Sequence, residues 1–229
     1  MPTSLRCVVS LVKKAIVFLT TKAGCYAYNA ISDQAKRIET LLEKIPQETK
    51  LRLLGILPLI FFSAQATHYL QIHQLGHMLW MCNIGNLLLA IGLFSNSKPL
   101  IRVASIWMIP GLFIWLLYVV LAWGIFFSST LAHVGGLVVG IYAVRRVGMD
   151  RLSWVYASIW FLLIQLTSRL FTPADLNVNL AHHIQPGWEQ RFDAYWQFWL
   201  TLVSLTAFVL WLLAVILRRI WPADVQVID

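Results

Sequence analysis

The chain has 229 residues, of which 59% are hydrophobic and only 12% are charged. Because soluble domains carry about 25% charged residues, this composition excludes a soluble enzyme and indicates a helical protein that crosses a membrane several times. The net charge of +8 lies mainly in the N-terminal segment and the short connections between apolar runs. It therefore suits membrane topology and anionic lipid, and we predict no nucleic-acid partner.

Residues 1–50 differ from the rest of the chain. Lys13 and Lys14 interrupt the first apolar run, which is therefore not typical of a cleavable signal peptide or of a span. From Ile31 to Ile45, apolar residues recur at helical spacing opposite a charged face, and Pro46 ends that helix. We predict an amphipathic N-terminal arm lying on the membrane surface, with docking to a protein partner as the alternative.

Six apolar runs follow, most of them long enough to cross a hydrocarbon core as a helix. The predicted spans are 51–71, 75–94, 99–127, 130–144, 152–171 and 194–217. Pro110 should kink the third span, and Gly135, Gly136 and Gly140 permit close helix approach in the fourth. The predicted fold is all-α, a polytopic bundle of six transmembrane helices over 51–217, followed by a cytoplasmic tail at 218–229.

The distribution of basic residues orients these spans. Sixteen of the 18 Lys and Arg residues fall on one side of the six-span arrangement, which the positive-inside rule makes cytoplasmic. The protein is therefore predicted to be a multi-pass integral membrane protein with both termini in the cytoplasm. The histidines all fall at the opposite face, where we expect the functional site: His68, His73, His77, His133, His182 and His183.

Cys82 and His133 form the first candidate site. Both lie near the non-cytoplasmic ends of their predicted spans, so they can meet if the second and fourth spans are neighbours. A histidine beside a thiol can accept its proton and leave a nucleophilic thiolate. Asn86, one turn below Cys82, or Asn83 could orient the imidazole or an oxyanion. The alternatives are a small buried cysteine and an interhelical hydrogen bond from the histidine.

Three short segments resemble the YwaF-like family of integral membrane proteins. They are Cys-Asn-Ile at 82–84, Trp-Met-Ile-Pro-Gly at 107–111 and Ala-His-Val-Gly at 132–135. The family consists of helical bundles, and in its eukaryotic member the matching cysteine and histidine are proposed for lipid acyl transfer. The resemblance covers about 51–217 and implies Cys82 as the nucleophile and His133 as the base. The chain departs from the family at Trp80, usually histidine, and at Asn83, often aspartate.

A second set of polar residues lies at the same face as candidates for substrate binding. Arg169 ends the fifth span, where its guanidinium could hold a lipid phosphate or carboxylate or could reach the interface. Gln165 lies one turn deeper. The long connection at 172–193 contains Asn177 and Asn179, which could hold this loop over the site or serve its turns. We expect these residues to line one cavity with His68, His77 and His133.

A metal site competes with this interpretation. His73 and His77 are spaced i, i+4, which places two imidazoles on one face of a helix. His182 and His183 in the outer loop could complete a zinc, copper or iron site. No familiar ligand motif accompanies them, and outer-loop histidines are often only solvated.

We therefore predict a membrane-embedded acyltransferase or lipid hydrolase. A lipid ester would enter from the non-cytoplasmic leaflet, Cys82 would take the acyl chain as a thioester, and His133 would transfer the proton. The partner is then a membrane lipid, and no nucleotide motif calls for a cofactor. A non-enzymatic membrane subunit or assembly partner, and a metal or redox site built from the outer histidines, remain as alternatives.

Overall fold

The computed structural model describes residues 46–122, 124 and 126–223, together with Gln34. Most of the predicted N-terminal arm and the last six residues of the tail lie outside the described residues. The α-helices in chain order are α1 (Gln47–Leu54), α2 (Ile56–Gln71), α3 (Met81–Phe94), α4 (Lys98–Ala122), α5 (Phe127–Thr130), α6 (Gly136–Val147), α7 (Ser153–Phe171) and α8 (Tyr195–Ile220).

Short turns complete the helical structure. A π-helical turn (Leu131–Gly135) joins α5 to α6, so that Phe127–Val147 runs as one rod. The 3₁₀ turns are Leu75–Leu79 before α3, and Ala174–Leu176, Val178–Leu180 and Glu189–Arg191 in the outer loop between α7 and α8.

Five segments are long and apolar enough to cross a membrane: Gln47–Gln71, Lys98–Leu121, Phe127–Val147, Ser153–Phe171 and Tyr195–Ile220. Large apolar side chains remain exposed along them, including Phe113, Val120 and Leu121 on α4. Exposed apolar surface of this extent is typical of helices that face lipid. The all-helical fold and the multi-pass character are therefore confirmed at this level.

The second predicted span needs a correction. It was expected to run over 75–94, but α3 begins only at Met81 and has 14 residues, or about 21 Å, which is short of a full crossing. The Asn179 side chain forms hydrogen bonds with the Leu79 carbonyl and the Met81 N–H. The backbone at Trp80, between these two groups, is extended, and the helix begins after it. Cys82 consequently lies in the first turn of α3, not seven residues inside a helix.

Helix α4 occupies the centre of the bundle and packs against α3, α6 and α7. Its first half is almost fully buried, with Ile101, Ile106 and Trp107 at 0% exposure. The close packing depends on small residues in α6: a side-chain carbon on Gly140 would lie 3.4 Å from the Ser105 Cα. Ser105 also donates a hydrogen bond to the Gly140 carbonyl at 2.9 Å. The glycine pattern thus provides the close approach expected of it.

Hydrogen bonds and a salt bridge fix the connection between α6 and α7. This end of the bundle, which carries Arg145, Arg146, Arg151, Arg218 and Arg219, is called the basic end. Arg102 lies within α4, inside the predicted third span, and is 8% exposed. It forms a salt bridge with Asp150 and donates to the carbonyls of Val147 and Gly148. The Met149 N–H donates to the Trp221 carbonyl at 2.7 Å, which fastens the end of α8 to the same connection.

Candidate functional site

Asn179 joins the outer loop to the bundle. Its Oδ1 accepts a hydrogen bond from the Met81 N–H at 3.0 Å, and its Nδ2 donates to the Leu79 carbonyl at 2.7 Å and to Ser168 Oγ at 2.9 Å. The side chain is buried, and the backbone adopts a left-handed conformation (φ 53°) that asparagine tolerates better than most residues. Asn179 therefore serves as the cap of α3 and as the link between the loop and α7.

Gln165 and Arg169 also bind the outer loop. Gln165 donates to the Asn179 carbonyl at 2.6 Å and accepts a hydrogen bond from Trp199 Nε1 at 3.2 Å, which connects α7, the loop and α8. Arg169 donates to the Ala181 carbonyl at 2.8 Å and lies 5.2 Å from the centre of the Tyr195 ring. Both residues are engaged with protein groups, although Arg169 is exposed and retains further donors.

Asn177 organises the turn inside the loop. Its Oδ1 accepts hydrogen bonds from the His182 and His183 N–H groups, and its Nδ2 donates to the His183 carbonyl. The His182 ring lies 3.3 Å from Thr172 Oγ1 at the end of α7. Turn chemistry and attachment of the loop thus explain Asn177 without a ligand.

The four histidines of the metal alternative are not brought together. His73 is exposed at a positive φ of 56°, while His77 accepts a hydrogen bond from Trp80 Nε1 at 3.0 Å. Burial lowers the pKa of His77, which favours the neutral ring that this hydrogen bond requires. Among the described residues, no group of three or more His, Cys, Asp or Glu side chains is arranged to hold a metal ion.

His133 lies in the π-helical turn, a conformation that is frequent at functional sites. It is 7% exposed, and its ring stacks on Trp115 with 5.3 Å between ring centres and 16° between planes. Its Nδ1 lies 2.8 Å from the Ser129 carbonyl. Because a carbonyl only accepts hydrogen bonds, Nδ1 carries the proton and Nε2 is the basic nitrogen of the neutral ring.

Asn86 connects α3 to this turn. Its Nδ2 donates to the Cys82 carbonyl at 3.0 Å and to the Ala132 carbonyl at 2.9 Å, so the second and fourth predicted spans are in contact here. Both amide hydrogens are used, and neither reaches the imidazole or a position for an oxyanion. Through its amide Asn86 therefore holds the backbone next to His133, while its Oδ1 is buried without a hydrogen-bond partner among the described residues. The catalytic role expected of Asn86 stays a prediction.

Cys82 lies beside the backbone N–H groups of the first turn of α3, its own and that of Asn83. Burial of the side chain is the larger effect and opposes the thiolate, while the two N–H groups favour negative charge on the sulfur. Among the described residues, no hydrogen bond joins Cys82 to His133. The Cβ of Cys82 packs on Gly111, where a side-chain carbon would lie 3.5 Å from it.

One face of α4 collects the polar groups of this region. Gly111, Trp115 and Tyr118 are spaced i, i+4, i+7 and therefore share a face. Gly111 contacts Cys82, Trp115 stacks on His133, and Tyr118 neighbours Tyr69. Cys82 and His133 thus contact two positions on α4 that are four residues, or about 6 Å, apart along its axis.

Asn83 is a second buried asparagine in the first turns of α3. Its Nδ2 donates to the His77 carbonyl at 2.9 Å, whereas its Oδ1 is buried and has no hydrogen-bond partner among the described residues. On α2, Gln65 Oε1 is also buried without a hydrogen-bond partner among the described residues. The Tyr69 side chain, one turn further along α2, neighbours both Cys82 and Asn83. Unpartnered buried acceptors are uncommon in native proteins, which makes this a place where a ligand donor could bind.

The sequence interpretation missed Tyr69, Trp115 and Ser129. Ser129 precedes His133 by four residues, the spacing of a helical contact, but the fourth span was predicted to begin only at residue 130. Trp115 could have been found from its spacing to Gly111. No local signal marks Tyr69, because its neighbours Cys82 and Asn83 lie on another helix.

The structure therefore forms two groups of the predicted site residues. Cys82, Asn86 and His133 meet against α4, while Gln165, Arg169, Asn177 and Asn179 attach the outer loop. Arg169 bonds to the loop and not to the His133 group, so a single cavity lined by both is not formed by these contacts. No family model, no curated protein and no solved structure matches the chain, so the likeness to the YwaF-like family stays a prediction.

Proposed function

We propose that the protein is a membrane-embedded acyltransferase or lipid hydrolase that acts through Cys82 and His133. The proposal depends chiefly on one observation. His133 donates its Nδ1 proton to the Ser129 carbonyl, which leaves Nε2 as an oriented base in a largely buried ring. A histidine oriented by an acceptor on its second nitrogen is the arrangement used by general bases in acyl transfer.

The position of Cys82 supports the same proposal. Its thiol lies at the N-terminus of α3, where backbone N–H groups can stabilise negative charge on an attacked carbonyl oxygen. Because burial opposes the thiolate, attack by the sulfur requires a base, which is the role proposed for His133. Asn86 ties this turn to the backbone beside His133, and both side chains contact one face of α4. The proposal requires the imidazole and the thiol to approach each other when substrate binds, because catalytic hydrogen bonds are often long in an empty site.

The chemistry follows from these positions. His133 Nε2 takes the thiol proton while Cys82 Sγ attacks the carbonyl carbon of a lipid ester. The ester C–O bond breaks, and the leaving alkoxide receives the proton from His133, which leaves the acyl group on Cys82 as a thioester. An alcohol, an amine or water then attacks the thioester and gives its proton to His133, and the proton returns to the thiolate.

A thiol-reactive probe tests the nucleophile directly. We expect a lipid-like chloroacetamide probe in detergent to label Cys82 in the native protein, and to label it much more slowly after His133→Gln, because the base is removed. Peptide mass spectrometry identifies the labelled cysteine. An inert Cys82 in a folded protein would contradict the enzyme proposal.

A non-enzymatic membrane subunit is the second candidate. It is favoured by the hydrogen bonds of Asn86, Gln165, Asn177 and Asn179, which bind protein backbone rather than leaving donors free for a substrate. Under this candidate the same residues only fix helices and the loop, and Cys82 packs on Gly111 as a small apolar side chain. The probe experiment separates the two candidates.

We also propose that both termini and the connection between α6 and α7 are cytoplasmic, because 16 of 18 basic residues then lie inside. In a cysteine-free background, Ser95→Cys and Gln185→Cys should react with a membrane-impermeant maleimide from opposite sides of oriented vesicles. Permeabilised vesicles, where both should react, serve as the control. Equal labelling of the two positions from one side would contradict this topology.

A further inference from the structure

A cavity of about 90 Å³ lies between α7 and α8 at the basic end of the bundle, away from Cys82 and His133. A single water needs only roughly 10–15 Å³, so the cavity has room for a group larger than a water molecule. We call it the basic groove. The residues of its wall that carry the argument are Asp150, Arg151, Trp154, Trp211 and Arg218.

The charges of the basic groove do not cancel. Asp150 is fully engaged: it forms the salt bridge with Arg102 and accepts hydrogen bonds from the Leu152 N–H at 3.1 Å and Ser153 Oγ at 2.6 Å. Within the described part of the chain, Arg151 and Arg218 form no salt bridge. Two guanidinium groups thus face one cavity with their nearest carboxylate already neutralised, which makes the groove a binding site for an anion.

The walls of the groove are fixed in place. Arg102 fastens the connection that carries Asp150 and Arg151, and the Met149 and Ala223 backbones pair with Trp221 and Met149 at 2.7 and 3.0 Å. These bonds hold the start of α7 against the end of α8, the two elements that supply the arginines. The backbone positions that carry Arg151 and Arg218 are therefore fixed relative to each other, which reduces the entropy lost when both bind one anion.

Two tryptophans show which anion fits. Trp211 precedes Arg218 by two helical turns, and therefore lies about 10 Å further along α8 towards the apolar part of the span. It is 42% exposed, and Trp154 follows Arg151 by three residues as the second residue of α7. Along both helices the arginine lies nearer the end of the bundle and the tryptophan nearer the apolar part of the span. A phospholipid has the same order, because its charged phosphate is followed by apolar acyl chains.

We propose that the basic groove binds the phosphate of an anionic phospholipid, with Arg151 and Arg218 on the phosphate oxygens and Trp154 and Trp211 along the first part of the acyl chains. This site is independent of the acyl-transfer proposal, because it involves none of the residues around Cys82.

The test is a lipid titration of the purified full-length protein, followed by native mass spectrometry. We expect phosphatidylglycerol to bind at least about tenfold more tightly than phosphatidylcholine, whose choline cation competes with the arginines. The double variant Arg151→Gln with Arg218→Gln should lose about tenfold in affinity for phosphatidylglycerol, since charge-assisted hydrogen bonds are removed. The matched control, Arg145→Gln with Arg146→Gln, makes the same charge change at the same end of the bundle but outside the groove, and should retain its affinity.

A second variant protects the test against misfolding. Trp211→Ala keeps both arginines and should weaken phosphatidylglycerol binding several-fold by removing contact with the acyl chain. Equal losses in the groove and control double variants would overturn the proposal in favour of general surface charge. Inorganic phosphate that binds as tightly as the lipid, with Trp211→Ala unchanged, would overturn the assignment to a lipid.

Discussion

Replacing Cys82 by serine or His133 by alanine should each abolish thioester formation with a lipid ester, with a loss of at least about 10³-fold in turnover. Serine retains the shape of the side chain but is a far weaker nucleophile when its base is poised for a thiol. Alanine at His133 removes the ring on Trp115 and with it the basic Nε2. The measurement is acyl capture on the purified protein, with the acyl group located by mass spectrometry.

The control for this experiment comes from the other cysteines of the chain. Cys7→Ser and Cys25→Ser make the same chemical change and should leave turnover unaffected. Because Cys82 and His133 act as a unit, the double change should cost little more than either single change. Normal turnover after Cys82→Ala would contradict the enzyme proposal and favour the non-enzymatic subunit.

Replacing Asn179 by alanine should be the most destabilising single change in the outer loop. It removes three hydrogen bonds and leaves the Leu79 carbonyl and the Met81 N–H without their partner. With about 1–3 kcal/mol for each buried group left unsatisfied, we expect a loss of about 3–5 kcal/mol in the free energy of unfolding. Thermal unfolding in detergent, with proteolysis of the loop as a second readout, measures this change.

Asn177→Ala is the matched control. Asn177 also has a left-handed backbone (φ 40°) and three side-chain hydrogen bonds, but its partners are His182 and His183 within the same loop. Any strain from placing alanine in this conformation is therefore common to both variants. We expect a clearly smaller effect at Asn177, and equal destabilisation by the two changes would argue against a special role of Asn179 in capping α3.

The sequence predicted what depends on local composition and spacing. Apolar runs indicated the long spans. The sequence left open whether the second and fourth spans are neighbours, and the Asn86 bond to the Ala132 carbonyl shows that they are in contact. The start of α3 was missed because its cap, Asn179, lies 98 residues further along the chain than Met81. The residue pattern within the second span therefore could not show where α3 begins.

Other differences have similar physical causes. Spacing did not predict the burial of Arg102, which is stabilised in the interior by three partners at the end of α6 and in the α6–α7 connection. The polar residues of the outer loop were recognised as important, but spacing could not tell binding of a ligand from attachment of the loop. That distinction required the partners of Gln165, Asn177 and Asn179, all of which are protein groups.

The π-helical turn at Leu131–Gly135 has a consequence for how the sequence of this rod should be compared with others. Such a turn contains one residue more than an α-helix of the same rise, so the segments before and after it are out of phase by about 100°. A homologue that lacks the extra residue would keep the glycine face of α6 but present a different residue in place of His133. An alignment gap at this position would therefore indicate a relative with the same bundle and without the histidine's chemistry.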